Sequence, residues 1–224
     1  MAMAADFQDL RTKMVDNQIR TRDVTDLAVL DAFLTVPREV FVPAARQVLA
    51  YLDEDQLLES EGTAPRYIME PSVFAKLVQL ALVGKNDVVL DVGCGTGYST
   101  AILSQLAGSV IGLESDSALS AAATARLQEL GHDNVVIVSG DLTAGYASEA
   151  PYDVILIEGA VDFVPQPLFD QLKEGGRLVV VEGRGNAGTA RIYTKEDGVV
   201  SGRGAFNAAV QPLPGFERAQ QFQF

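Results

Sequence analysis

The chain has 224 residues, 48% of them hydrophobic, which is enough to bury one sizeable core. Its 30 acidic residues against 17 basic ones leave a net charge of −13, so phosphate backbones are repelled and nucleic acid is set aside as a partner. No apolar run approaches the roughly 20 residues of a membrane span, "MAMAADFQDLRTKM" lacks the apolar stretch of a signal peptide, and the single Cys94 forms no intrachain disulfide, so a cytoplasmic protein is expected.

Residues 1–71 read as an N-terminal helical segment. "FQDLRTKMVDNQIR" places Leu10, Met14, Val15 and Ile19 at helical spacing. "LAVLDAFLTV" stops at Pro37 and "REVFVP" at Pro43, because the residue before a proline is pushed out of the helical region. "AARQVLAYLDEDQLLES" follows as an acidic, less patterned stretch. Pro71 before "SVFAKLVQLAL" predicts a helix entrance, where a missing N–H costs nothing.

Residues 72–183 alternate strand and helix signals. Strands are predicted at 87–93, 109–115, 134–141, 152–160 and 177–183, with helices at 98–107, at 117–131 and through "PQPLFDQLKEGG". Mostly apolar strands in this alternation argue for an α/β fold with a mainly parallel, doubly wound sheet covered on both faces. Residues 184–224 are Gly-rich, with short strand-like pieces and a hairpin turn at "EDG" (Glu196 to Gly198), and read as a C-terminal β extension. No repeat or linker divides the chain, so 1–224 is expected to form a single domain.

The strongest signal is "LDVGCGTGYS", at the carboxyl end of the first predicted sheet strand, where doubly wound sheets bind ligands. Gly93, Gly95 and Gly97 allow a tight turn and close backbone approach to a ligand, with Asp91 two residues ahead and Thr96 within the loop. A dinucleotide site wants G-x-G-x-x-G; here the third glycine comes one residue early. Acidic-x-G-x-G-x-G instead resembles the motif of class I S-adenosylmethionine-dependent methyltransferases. Glu114 ends the second sheet strand, where an acid can grip two ribose hydroxyls. Asp141 ends the third, followed by Leu142, and resembles the residue that such enzymes place at the adenine amino group. Cys94 and His132, the only residues of their kinds, read as a packing side chain and a turn residue, so no zinc site or Ser-His triad is expected.

The flanks narrow the resemblance. "MVDNQIRTRDVTDLAVLDAFLTVPREVFVP" (14–43), with "VPREVFVP" its most specific part, is similar to the N-terminal region of protein-L-isoaspartate O-methyltransferases. "VLDVGCGTGYSTAILSQLAGSVIGLE", "LGHDNVVIVSGD", "APYDVILIEGA" and "LKEGGRLVVVEG" follow that family in order. The resemblance implies a Rossmann-like class I methyltransferase fold, S-adenosyl-L-methionine as cofactor, and methyl transfer to the carboxylate of isoaspartyl residues in a protein or peptide substrate. It implies cofactor binding through Asp91, Gly93, Gly95, Thr96, Gly97, Glu114, Asp141 and Leu142.

The acceptor side departs from the family pattern. Where the family has an Ile-Ser-Gln-Pro-like run, this chain has Ile68-Met69-Glu70-Pro71. After the fourth sheet strand stands a second unexpected acid, Glu158. Met69 reads either as an acceptor-side residue or as packing; Glu70 either meets the acceptor or faces solvent. Ser72 either supplies a displaced hydroxyl or satisfies the start of the helix. Two alternatives therefore stay open: a methyltransferase with another acceptor, and a non-catalytic cofactor-binding sensor.

Overall fold

The computed structural model describes residues 6–62 and 64–218. The chain opens with α1 (Phe7–Met14), which runs on through a wider turn at Val15–Ile19 and a tighter one at Arg20–Arg22. Asp26 caps α2 (Leu27–Thr35) by accepting from the Ala28 and Val29 N–H groups. Pro37 and Pro43 then lead into short 3-10 helices at Arg38–Val40 and Ala44–Leu49, at the predicted breaks.

Strands β1 (Gln56–Leu58) and β2 (Arg66–Ile68) form a small antiparallel ribbon, with Leu57 opposite Tyr67. Sequence pattern gave no strand here, because three residues are too short to show a period-2 signal. Helix α3 (Pro71–Ala81) starts at Pro71 as expected and closes on Leu82 in the left-handed region.

The main sheet contains β3 (Val88–Val92), β4 (Ser109–Glu114), β5 (Val135–Ser139), β6 (Tyr152–Val161), β7 (Leu172–Glu182), β8 (Thr189–Glu196) and β9 (Val199–Asn207). Its order is β5-β4-β3-β6-β7-β8-β9, parallel from β5 to β7 and antiparallel beyond. Helices α4 (Tyr98–Ser104) and α5 (Ser117–Glu129) follow β3 and β4. Alternation along the strands sends Val89, Val110 and Val154 into the core under the helices, and Leu90, Ile111 and Ile155 into the core on the other face.

The helix expected through "PQPLFDQLKEGG" shrinks to α6 (Gln166–Asp170). Leu172 already pairs with Tyr152, so β7 begins inside the predicted helix, and the register shifts before Val154 pairs with Arg177. The "EDG" hairpin is present: Asp197 and Gly198 both have positive φ between β8 and β9.

The segment before α3 and residues 211–213 meet at the carboxyl edge of the sheet. Asp55 accepts from the Glu70 N–H at 2.8 Å and the Gln211 N–H at 3.3 Å. Residues 211–213 form a strap on β6, with the Ala160 N–H donating to the Gln211 carbonyl and the Leu213 N–H to the Ala160 carbonyl, each at 2.9 Å.

Candidate cofactor and acceptor site

The β3–α4 turn is held from below and above. Asp91 is fully buried, and its Oδ2 accepts from the Ser99 hydroxyl at 2.7 Å and the Thr100 hydroxyl at 2.6 Å, both on α4. Its Oδ1 is buried without a partner. Burial pushes this carboxyl up to about 7. Thr96 turns away from the loop's open side and donates to the Phe41 carbonyl at 2.6 Å, joining the loop to the "VPREVFVP" segment.

The glycines have two different jobs. Gly97, at φ +94°, has no room for a Cβ beside Ala123 and Leu127, so it lets α4 and α5 pack closely. Gly93, at φ +83°, faces the strap, and a Cβ there would stand 2.8 Å from the Leu213 side chain. Above Gly95 lies the side chain of Leu58 from the β1–β2 ribbon. The loop surface that approaches a ligand in this fold is therefore covered by the chain's own residues.

Glu114 ends β4 beside this loop and is fully buried. Three backbone groups donate to it: Gly95 at 2.8 Å, Ser115 at 2.8 Å and Asp116 at 3.0 Å. Arg66 of β2, only 5% exposed, grips both carboxylate oxygens through its two Nη atoms. Its Nη2 also donates to the Gly93 carbonyl at 3.1 Å. Asp141, past the end of β5, is exposed and accepts from the Thr143 N–H and hydroxyl, which hold its carboxyl below the usual range. Leu142 is buried in the core beneath it.

The acceptor-side candidates separate into two places. Met69 and Glu158 line one small cavity of about 10 Å³, room for a single water, together with Gly93, Cys94, Tyr98 and Ser99. Glu158 Oε1 and the Tyr98 hydroxyl are buried there without partners. Burial and the nearby Asp91 raise the Glu158 carboxyl well above its ordinary value. Met69 is itself part of the core, and its carbonyl accepts from Arg38 Nη2 at 2.8 Å. Arg38 is fully buried, donates from Nε to the Ala50 carbonyl, and stacks 4.7 Å over the Tyr98 ring.

Glu70 does not join this cavity. It is half-buried beside Asp53 and Asp55, and loss of water plus those two charges push it up to about 7. Ser72 is buried, and its N–H donates to Asp53 at 2.9 Å. The start of α3 is thus satisfied by Asp53 and Asp55, not by the Ser72 hydroxyl as one sequence reading had it. Cys94 is buried, and its thiol is pushed up by burial. His132 shares a 2.7 Å hydrogen bond with the Ser104 hydroxyl, so it is a partnered turn residue.

Sequence reasoning missed Arg66, Leu58 and Leu213. Arg66 is the one cation in the run "APRYIMEPS", and that was its only signal.

A sequence model of the family described as Protein-L-isoaspartate(D-aspartate) O-methyltransferase (PCMT) matches residues 9–214. The chain belongs to this family. A protein-L-isoaspartate O-methyltransferase of Koribacter versatilis (strain Ellin345) is 38% identical over 188 residues, covering 84% of this chain and 83% of that one. A solved structure titled protein-L-isoaspartate O-methyltransferase superposes with a TM-score of 0.79 at 29% identity, over 92% of this chain and 66% of that one. A second, from Plasmodium falciparum and titled as a putative enzyme of this kind in complex with S-adenosyl-L-homocysteine, has a TM-score of 0.75 at 19% identity, covering 94% and 99%; it bears on the fold alone.

The donor set of this family member suits S-adenosylmethionine. A buried acid closes β4, a glycine turn closes β3, an exposed acid follows β5, and one oxygen of Asp91 waits unpartnered behind the loop. The space in front of Glu114 is filled by the Arg66 guanidinium, and Gly93 and Gly95 lie under the side chains of Leu213 and Leu58.

Proposed function

We propose that this chain is an S-adenosylmethionine-dependent methyltransferase that esterifies the α-carboxylate of L-isoaspartyl residues in protein or peptide substrates. The observation that carries this reading is the family match over residues 9–214, laid on a glycine turn and a buried strand-end acid in adjacent parallel strands. Glu114 would hold the ribose, the Gly93–Gly97 turn the amino-acid part, and Asp141 with Leu142 the adenine. Bound there, the cofactor supplies a sulfonium methyl that a carboxylate oxygen takes as an ester.

This chemistry asks little acid–base help, since the nucleophile is already an anion and alignment supplies most of the rate. Arg38, Tyr98 and the aromatic rings of Phe33, Phe41 and Phe74 fix the wall behind Met69 and keep water out. The ester then favours closure to a succinimide and partial return to aspartate, a repair of aged proteins in the cytoplasm. Labelled methyl transfer to an isoaspartyl peptide and to its aspartyl twin tests the reading. Base-labile label on the first alone is expected; label on neither overturns it.

A further inference from the structure

Arg66 and Glu114 form a buried, two-pronged ion pair in the seat proposed for the ribose. Two cavities lie near the pair: a water-sized one bounded by Tyr67, Met69, Gly93 and Glu158, whose Gly93 carbonyl accepts from Arg66, and an open cleft of about 230 Å³ lined by Gly62, Ala64, Arg66, Ser115, Asp116 and Pro214. Neither reaches the roughly 300–1,000 Å³ of a cofactor pocket. A ligand spanning both needs the Arg66 side chain out of the way.

The two partners are unequal once separated. Glu114 keeps its three backbone donors and stays satisfied. Arg66 keeps only the Gly93 carbonyl, and a guanidinium leaving a buried pair needs another anion. The ribbon that carries it is light: two three-residue strands, joined to α5 by the Gly62 N–H on Asp116 at 2.9 Å. Its Arg66 end lies three residues before Met69, a core residue whose side chain offers no charge or hydroxyl. The other buried cation nearby, Arg38, has an unpartnered Nη1, but its Nε and Nη2 are held by the Ala50 and Met69 carbonyls and the guanidinium is fully buried against the Tyr98 ring. The reaction brings two carboxylates to this edge, the cofactor's own, assigned above to the Gly93–Gly97 turn, and the acceptor's, which is the one left without a counter-ion.

We propose that Arg66 is a shared counter-ion of the two substrates: it neutralises Glu114 in the free protein, gives that carboxylate up to the ribose hydroxyls, and takes the acceptor carboxylate in exchange. The proposal rests on the methyltransferase reading above. It makes cofactor and acceptor bind with positive coupling, since each substrate removes the cost that the other imposes on Arg66. By reciprocity the factor is the same in both directions.

Calorimetric titration of S-adenosylhomocysteine into wild type and Arg66→Gln, each with and without a saturating isoaspartyl peptide, tests it. Without peptide, Arg66→Gln is expected to bind about tenfold tighter than wild type. The peptide is expected to tighten wild-type binding by a factor within the usual range of about 5–150, and to leave Arg66→Gln unchanged. In turnover, Arg66→Gln raises the acceptor KM more than it lowers kcat. Arg66→Lys keeps the charge but not the two-pronged grip, so it binds S-adenosylhomocysteine more tightly than wild type while retaining part of the coupling; it serves also if the glutamine variant does not fold. Equal affinity in wild type and both variants, or equal peptide effects in all three, overturns the proposal. Absence of binding to every protein, with or without peptide, overturns the methyltransferase reading as well.

Discussion

Two carboxylates, near the ends of β4 and β6 on either side of β3, live under opposite conditions. Glu114 closes β4 with three backbone donors and a two-pronged arginine, so every lone pair has an owner. Glu158, near the end of β6, has a sealed Oε1 with no partner, beside an equally unpartnered Tyr98 hydroxyl. Buried polar groups of native proteins are nearly all hydrogen-bonded, so two such oxygens facing one water-sized cavity leave room for a donor there. The ribose seat is closed by an ion pair that must open; the cavity beside Met69 keeps an unpartnered carboxylate oxygen and hydroxyl, and Asp91 Oδ1 behind the turn is a third buried oxygen without a partner. The same chain pays for readiness differently on the two sides of one glycine turn.

The largest effect should come from breaking the closed side. Glu114→Ala strands Arg66 as an uncompensated buried charge and is expected to cost about 3–5 kcal/mol in urea unfolding. Loss below about 1 kcal/mol would mean that Arg66 escapes to water without strain. Beside the cavity, Met69→Ala should cost about 2–4 kcal/mol, because it hollows a core position that is 4% exposed. Met69→Ser is expected to cost no more than Met69→Ala, since its hydroxyl enters a cavity that already holds the orphaned Glu158 oxygen. A clearly worse serine would show that this oxygen is not available.

Smaller effects probe the boundary. Gly93→Ala puts a side chain at φ +83° and against Leu213, for an expected loss of about 1–3 kcal/mol. Leu213→Ala in the same chain should recover the steric part and leave the backbone part, which a double-mutant cycle reads directly.

The smallest effect is in pH. Glu70 is raised from 4.5 to about 7 in the folded chain, so between those values the folded state binds more protons than the unfolded one. Its contribution to stability is therefore greatest at low pH and is lost as pH rises through about 7. Relative to wild type, Glu70→Gln should gain in melting temperature on going from pH 4.5 to pH 8. An unchanged difference across that range would show that neither burial nor the charges of Asp53 and Asp55 raise this carboxyl.

The parts of the site that could be read in the sequence are those made by neighbours in the chain. "LDVGCGTGYS" is one turn, and its glycine spacing states the backbone conformation that turn needs. Glu114 and Asp141 follow apolar runs whose ends are visible from hydrophobicity alone. The Arg66–Glu114 pair joins residues 48 positions apart, and neither helical nor strand periodicity carries such a partnership. The β1–β2 ribbon was illegible for the same reason, since its existence depends on what Leu58 and Arg66 touch across the molecule. Likewise α6 ended early because β7 claimed Leu172 for pairing with Tyr152, a tertiary choice that overrode local helix preference.

The strap that crosses Gly93 has a consequence for the order of events during synthesis. A growing chain emerges N-terminus first, and the glycine turn is made well before Leu213 exists. Until the ribosome has delivered residues 211–213, β6 lacks the Gln211 and Leu213 contacts, and Asp55 lacks its Gln211 N–H. A nascent chain stalled before that point would carry a complete turn motif without the Leu213 side chain over Gly93 or the 211–213 contacts on β6.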